Sequence, residues 1–364
     1  MKLEYDILVM LQHYSINSKA EVHMMNLDKK IRVLVVDDSL LFREVLSRGI
    51  SSNPNIQVVA KAVDPFDARD KILKFRPDVM TCDVQMPKMN GIDFIRRLLP
   101  QYSLPVIVVS TVSEAVFDAM NAGAVDFVTK PDMRSVEKVE YFIHDIIDKI
   151  KIAANAHVVE GNNIRPHSSF VKNAIKTDKV IAIGASTGGT QAINRVLEEF
   201  PAQMPPIVIV QHIPALFSQM FAKRLDSSLS LNVKEAQGGE ILEPGRVLIA
   251  PGDRHMKLVR IGRGLKVELS DAEKVNGHKP SVDVLFESVA RECNANAVGV
   301  ILTGMGYDGA KGLLAMKRKG AMTIGQDEKS SVVYGMPKVA FNIGAVKKQV
   351  PLEKIPHEIF SLLR

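Results

Sequence analysis

Ile31-Arg-Val-Leu-Val-Val-Asp37-Asp38 is a short run rich in β-branched residues that stops on two adjacent carboxylates. Such a run reads as a buried strand, because branched side chains fit a pleated, packed surface. Working outward, similar runs recur at 56–61, 78–82, 106–109 and 125–128, with helical patterns of about ten residues between them. Five alternations of strand and helix predict a parallel sheet covered by helices on both faces. The last helix is the clearest. Val136, Val139, Ile143, Ile146, Ile147 and Ile150 recur at steps of three and four, which predicts one apolar face.

The strand ends carry the chemistry. Asp37 and Asp38 follow the first strand and Asp83 the third, and open α/β sheets place their ligands at that edge. Three carboxylates converging there repel one another unless a hard cation such as Mg²⁺ neutralises them. Asp83 is then the candidate nucleophile toward a phosphoryl donor. Lys130, followed by Pro131, places an ammonium to pair with phosphoryl oxygens, and Ser110 offers a hydroxyl at the end of strand four.

The Asp37-Asp38 pair, the run from Asp83 through Met86-Pro87 to Gly91, Ser110, and Val128-Thr129-Lys130-Pro131 together resemble a response-regulator receiver domain. That resemblance implies a flavodoxin-like five-stranded fold, Asp83 as phosphoacceptor, and Phe127 as an aromatic switch moving with Ser110 and Lys130. It also implies Mg²⁺ held by Asp37, Asp38, Asp83 and the backbone carbonyl of Gln85, with a histidine kinase as phosphodonor.

At 364 residues, with 46% hydrophobic and 24% charged residues, the chain suits two domains, each with its own core. No apolar run approaches the ~20 residues that span a bilayer. Cys82 and Cys293 are too few for a disulfide framework and predict a reducing, cytoplasmic setting with both thiols packed in cores. The net charge of +6 resides mainly after residue 178, but the basic residues there are scattered and Trp is absent, so no nucleic-acid groove is expected. Residues 1–29 lack a period and read as an extension, 30–153 as the first domain and 154–177, rich in Asn, Ser and Gly, as a linker.

Residues 178–364 open with a strand at 179–183, then Gly184-Ala-Ser186-Thr187-Gly188-Gly189 and a helix over 187–199. Glycines around a serine at a strand-to-helix turn expose its hydroxyl beside free helix N–H groups, although the same turn equally cradles a phosphate. Strands at 207–210 and 298–302, and a hairpin of 256–260 with 265–269, predict a doubly wound, mostly parallel α/β domain. His212 follows the strand 207–210, and imidazole is the natural base for serine at neutral pH. Asp308, in Thr303-Gly-Met305-Gly-Tyr-Asp308-Gly, is placed to orient that imidazole. The chain order Ser186, His212, Asp308 departs from the α/β-hydrolases, which put the acid before the histidine.

Gly184–Gly189, Gln211-His212-Ile213-Pro214, Ala250-Pro-Gly-Asp-Arg-His255, Lys279-Pro-Ser-Val-Asp283 and the Asp308 loop, in this order, resemble the catalytic domain of chemotaxis protein-glutamate methylesterases. The likeness implies a triad of Ser186, His212 and Asp308, with Thr187 and the Met305 backbone as supports for the transition state and no cofactor for the ester reaction. It further implies membrane chemoreceptors as substrate, demethylation of glutamate methyl esters, deamidation of glutamines, and a monomer without membrane insertion. His255, His278 and Asp283 fit the pattern and read as structural. The rival readings are a phosphorylation-controlled scaffold, a hydrolase for another ester or amide, and a transcription factor; the last lacks a helix-turn-helix after the linker.

Overall fold

The computed structural model describes residues 30–111, 115–156 and 178–363, so the predicted extension over 1–29 and the linker residues 157–177 lie outside the described residues. The described residues fall into two compact units, 30–156 and 178–363.

The first unit runs β1 (Ile31–Val36), α1 (Leu40–Ser51), β2 (Ile56–Ala62), α2 (Pro65–Phe75), β3 (Val79–Asp83), α3 (Gly91–Leu98), β4 (Val106–Ser110), α4 (Ala115–Asn121), β5 (Asp126–Thr129) and α5 (Val136–Ala153). Its five strands are all parallel in the order β2-β1-β3-β4-β5. That is the flavodoxin-like winding. Helix starts are written locally: Ser39 caps α1 by accepting from Phe42 N, and Asp64 caps α2, with Pro65 at its first position. Helix α5 buries Val139, Phe142, Ile143, Ile146, Ile147 and Ile150. Val136, predicted on that face, is 39% exposed, because it is the first helical residue and the buried stripe begins one turn later.

The second unit runs β6 (Val180–Ala185), α6 (Gly189–Leu197), β7 (Ile207–Gln211), α7 (Ala215–Ser228), β8 (Asn232–Glu235), β9 (Arg246–Ile249), β10 (His255–Ile261), β11 (Gly264–Ser270), α8 (Val282–Cys293), β12 (Ala297–Ile301), α9 (Ala310–Arg318), β13 (Met322–Gln326), α10 (Met336–Asn342), β14 (Lys348–Val350) and α11 (Ile355–Leu362). Seven strands form a parallel sheet in the order β14-β13-β12-β6-β7-β9-β8. The antiparallel pair β10–β11 is the predicted hairpin and forms a sheet of its own, packing Met256, Leu258 and Val267 into the core beside Leu285 and Phe286 of α8. Strand β6 lies between β7 and β12, so the winding reverses there, and the crevice at the carboxyl ends of these three strands is where such sheets bind ligands. Both cysteines are buried and unbridged.

Candidate active site and phosphorylation pocket

In the first unit, register alone gathers the predicted residues. Val36 pairs with Cys82 and Ser110 with Thr129, so Asp37, Asp83, Ser110 and Lys130 emerge at one edge. Carboxylate oxygens of Asp37, Asp38 and Asp83 lie within 4.8 Å of one another, Asp37 and Asp83 buried and Asp38 exposed. The Lys130 ammonium sits 2.7 Å from Asp37 Oδ2 and 2.6 Å from Asp83 Oδ2, and 4.7 Å over the Phe42 ring. Burial raises the Asp37 carboxyl above its ordinary value, against the pull of Lys130. Burial would lower the Lys130 ammonium, but its bonds to Asp37 and Asp83 win and raise it. The donor set is hard carboxylate oxygen in excess of the ammonium facing it, which fits a small divalent cation. Gln85 N donates to Asp83 Oδ1 (3.3 Å), Ser110 O accepts from Lys130 N (2.9 Å), and Phe127 is buried on β5 beside β4. The Lys149 ammonium stands 5.8 Å from the Phe127 ring centre and 2.8 Å from Asp126 Oδ1.

In the second unit, Ala185 pairs with Gln211, so Ser186 and His212 follow adjacent strand ends. His212 N donates to Ala185 O (3.1 Å), and the Gln211 side-chain amide donates to the carbonyls of both Ser186 (2.9 Å) and His212 (3.0 Å). Ser186 N donates to Thr303 O just past β12 (3.0 Å), and Ser186 O accepts from Gly189 N at the start of α6 (2.7 Å). Gly304 presses on the serine from the other side. A Cβ there would lie 2.6 Å from Ser186 Cβ and 2.5 Å from Met336 Sδ.

His212 Nε2 lies 2.9 Å from Asp308 Oδ2, while Nδ1 is buried and has no hydrogen-bond partner. An ionised carboxylate only accepts, so Nε2 carries the proton and Nδ1 offers its lone pair. The nitrogens are thus used in the reverse sense to the serine proteases, where the acid holds Nδ1. Asp308, 1% exposed, takes four more donors: Asn276 Nδ2 (2.8 Å), Ser281 Oγ (2.7 Å) and Asp283 N (3.2 Å) on Oδ1, and Val282 N (2.7 Å) on Oδ2. The two backbone donors open α8, whose N-terminal dipole adds to the field. Burial pushes the Asp308 carboxyl up, but the bonds from His212, Asn276 and Ser281 outweigh it and hold it well below the usual carboxylate range. A buried imidazole braced on an ionised carboxylate, with its other nitrogen unpaired and its backbone held against the strand end that carries Ser186, can act as a general base.

Residues 181–359 match the family model described as CheB methylesterase, and residues 33–139 that of the response regulator receiver domain. The protein-glutamate methylesterase/protein-glutamine glutaminase 2 of Syntrophomonas wolfei is 54% identical over 335 residues, covering 92% of this chain and 98% of the relative. That of Salmonella typhi is 45% identical over 337 residues, covering 91% and 97%. The crystal structure of the Thermotoga maritima CheB methylesterase catalytic domain superposes with a TM-score of 0.50 at 39% identity, covering 50% of this chain and 98% of that one. The chain belongs to the CheB methylesterase family.

In this CheB methylesterase fold the residues named as transition-state supports stand apart in environment. Thr187 is buried and its carbonyl accepts from Thr303 Oγ1 (3.0 Å), whereas Met305 is 50% exposed on the loop after Gly304. His255, read as structural, is buried and ties down the loop before α8: Nε2 lies 2.9 Å from Glu273 O, and Nδ1 accepts from Ser281 N (3.2 Å). Asp283 accepts from Gly312 N in the first turn of α9 (2.7 Å) and from Asn276 Nδ2 (2.8 Å). Burial raises its carboxyl above the ordinary value. His278 does more than fill space, since its ring stacks on His212 with centroids 3.8 Å apart and planes 11° apart. Asn276 and Ser281 were not singled out from sequence. They reach Asp308 across 32 and 27 residues of chain, and the local cue for the first is the Asn276-Gly277 turn signal.

Proposed function

We propose that this protein is a phosphorylation-regulated protein-glutamate methylesterase, with residues 30–153 as receiver domain, 154–177 as linker and 178–364 as catalytic domain. The observation that carries the chemistry is His212, whose backbone is held at the Ser186 strand end through Ala185 O and whose ring is braced by Asp308 at Nε2, with Nδ1 unpaired. Its Nδ1 takes the Ser186 hydroxyl proton as Oγ attacks the carbonyl of a glutamate methyl ester on a chemoreceptor. The tetrahedral oxyanion faces the α6 start and the Met305 loop, where backbone N–H groups at Thr187 and Met305 serve it. The imidazolium returns its proton to the departing methoxide, methanol leaves, and water then releases free glutamate from the acyl-enzyme. A glutamine side chain follows the same course with ammonia as leaving group. Asp308 remains ionised throughout and favours the imidazolium.

In the receiver domain Asp83 accepts a phosphoryl group from a histidine kinase. Mg²⁺ would be held by Asp37, Asp38, Asp83 and the Gln85 carbonyl. When bound it offsets carboxylate and phosphoryl charge. Lys130 pairs with the phosphoryl oxygens, and Ser110 with Phe127 conveys the change. The esterase step itself needs no cofactor. The protein works as a cytoplasmic monomer, and among the described residues no helix is long and apolar enough to cross a membrane.

Methanol release from methylated receptor membranes tests the reading. Ser186→Ala is expected to abolish release while leaving Asp83 phosphorylation intact. Release retained by that variant would remove Ser186 from the mechanism, and absence of release by the unaltered protein would favour a scaffold.

A further inference from the structure

We propose that the Asn276–Gly277 turn is a positioning device for the His212–Asp308 pair, Asn276 aligning the carboxylate and His278 fixing the plane of the imidazole. The inference rests on the esterase reading above. Val275 and His278 exchange both backbone hydrogen bonds, at 3.0 and 2.9 Å, and the two residues between them have φ of 54° and 82°. Two successive positive φ values define a type I′ turn, for which Asn-Gly is the preferred pair because Gly and Asn tolerate the left-handed region. The turn therefore has one shape, and that shape delivers two side chains to one place. The Asn276 amide nitrogen donates 2.8 Å to Asp308 Oδ1 and 2.8 Å to Asp283 Oδ2, standing between two buried carboxylates that would otherwise repel. The residue after Gly277 lays its ring on His212.

The turn is held from behind. His255 uses one ring nitrogen on Glu273 O and the other on Ser281 N, on either side of the turn, and Ser281 itself donates to Asp308. An imidazole bonded at Nε2 alone can swing about that bond and carry Nδ1 away from the serine. A parallel ring at 3.8 Å blocks the swing. Burial lowers the His278 imidazole to about 4, so at neutral pH it presents an uncharged face to the imidazolium that forms on His212. His278 and Asn276 are positioning residues, acting through His212 and Asp308.

The test uses the full-length, phosphorylated protein and steady-state methanol release. His278→Ala is expected to lower kcat about tenfold or more with KM little changed, since misplacing a base costs rate rather than binding. His278→Phe keeps a flat ring and is expected to recover most of that loss. Asn276→Asp keeps the turn but sets a third carboxylate against Asp308 and Asp283, and is expected to lose more kcat than Asn276→Ala. A kcat for His278→Ala close to that of the unaltered protein, or equal losses for His278→Ala and His278→Phe, would overturn the proposal. A second readout needs no esterase activity: the His212 imidazole signals should be single and sharp in the unaltered protein and His278→Phe, one ring orientation protonated at Nε2, and broadened by exchange between orientations in His278→Ala. Unchanged signals in His278→Ala contradict the positioning role. Failure of the esterase reading shows separately, as an unaltered protein no faster than Ser186→Ala.

Discussion

Asp308 is the residue on which the second site turns, because five donors converge on it and one of them is His212, the proposed base. Asp308→Asn is expected to keep the fold but reduce kcat by roughly 10³- to 10⁴-fold, since an amide can hold the wrong tautomer of His212. Its stability effect is expected to be about 1–3 kcal/mol, the cost of leaving buried donors facing an amide. Gly304→Ala tests packing instead: its methyl would meet Ser186 Cβ and Met336 Sδ, so methanol release should fall while Asp83 phosphorylation is unchanged. His278 gives a pH signature. Its folded-state value of about 4 lies below the ordinary 6.5, so between these the unfolded chain binds more protons, and this group's contribution to stability falls as pH drops from about 6.5 to about 4. His278→Phe should therefore flatten the urea midpoint across that window relative to the unaltered protein. A slope identical in both would remove His278 as its source.

Strand ends decide which residues meet. In both units a parallel sheet sets its candidate residues at the carboxyl edge, and strand register then joins Asp37 to Asp83 and Ser186 to His212. The close approach of α3 to β3 adds a constraint, for a Cβ on Gly91 would lie 2.0 Å from Asp83 O. Gly91→Ala is expected to displace the loop of Asp83, the proposed phosphoacceptor, slowing its phosphorylation and lowering Tm, as read by phosphoprotein electrophoresis and calorimetry. Much of this was legible in sequence, because a β-rich run ending on Asp, Ser or His is a local signal. The strands β8, β9, β13 and β14 were not read, because Asn232–Glu235, Arg246–Ile249, Met322–Gln326 and Lys348–Val350 are bounded or interrupted by polar residues and form no extended apolar run. Nor was the fastening of Asp308 by Asn276 and Ser281, which depends on how the segment after β11 docks against residues far along the chain. Even the strong Asn-Gly signal announces a turn without saying what the turn will touch.

At the scale of the whole molecule, two chemistries share one chain, and the proposed relation between them is control. The family membership and a receiver-like unit preceding a methylesterase unit support that direction. A ligand or covalent mark shifts an equilibrium only by its differential affinity for the two states, so under the proposed control phosphate on Asp83 favours a state in which Ser186 is accessible to receptor. A chain beginning near residue 176 is then expected to outrun the unphosphorylated full-length protein, while equal rates argue against autoinhibition. The most direct test measures methanol release from methylated receptor membranes by the full-length protein before and after phosphorylation, with Asp83→Asn alongside. Faster release on phosphorylation, absent in Asp83→Asn, is the result expected if Asp83 gates Ser186; a rate indifferent to phosphorylation, with the phosphoryl group verified on Asp83, contradicts it.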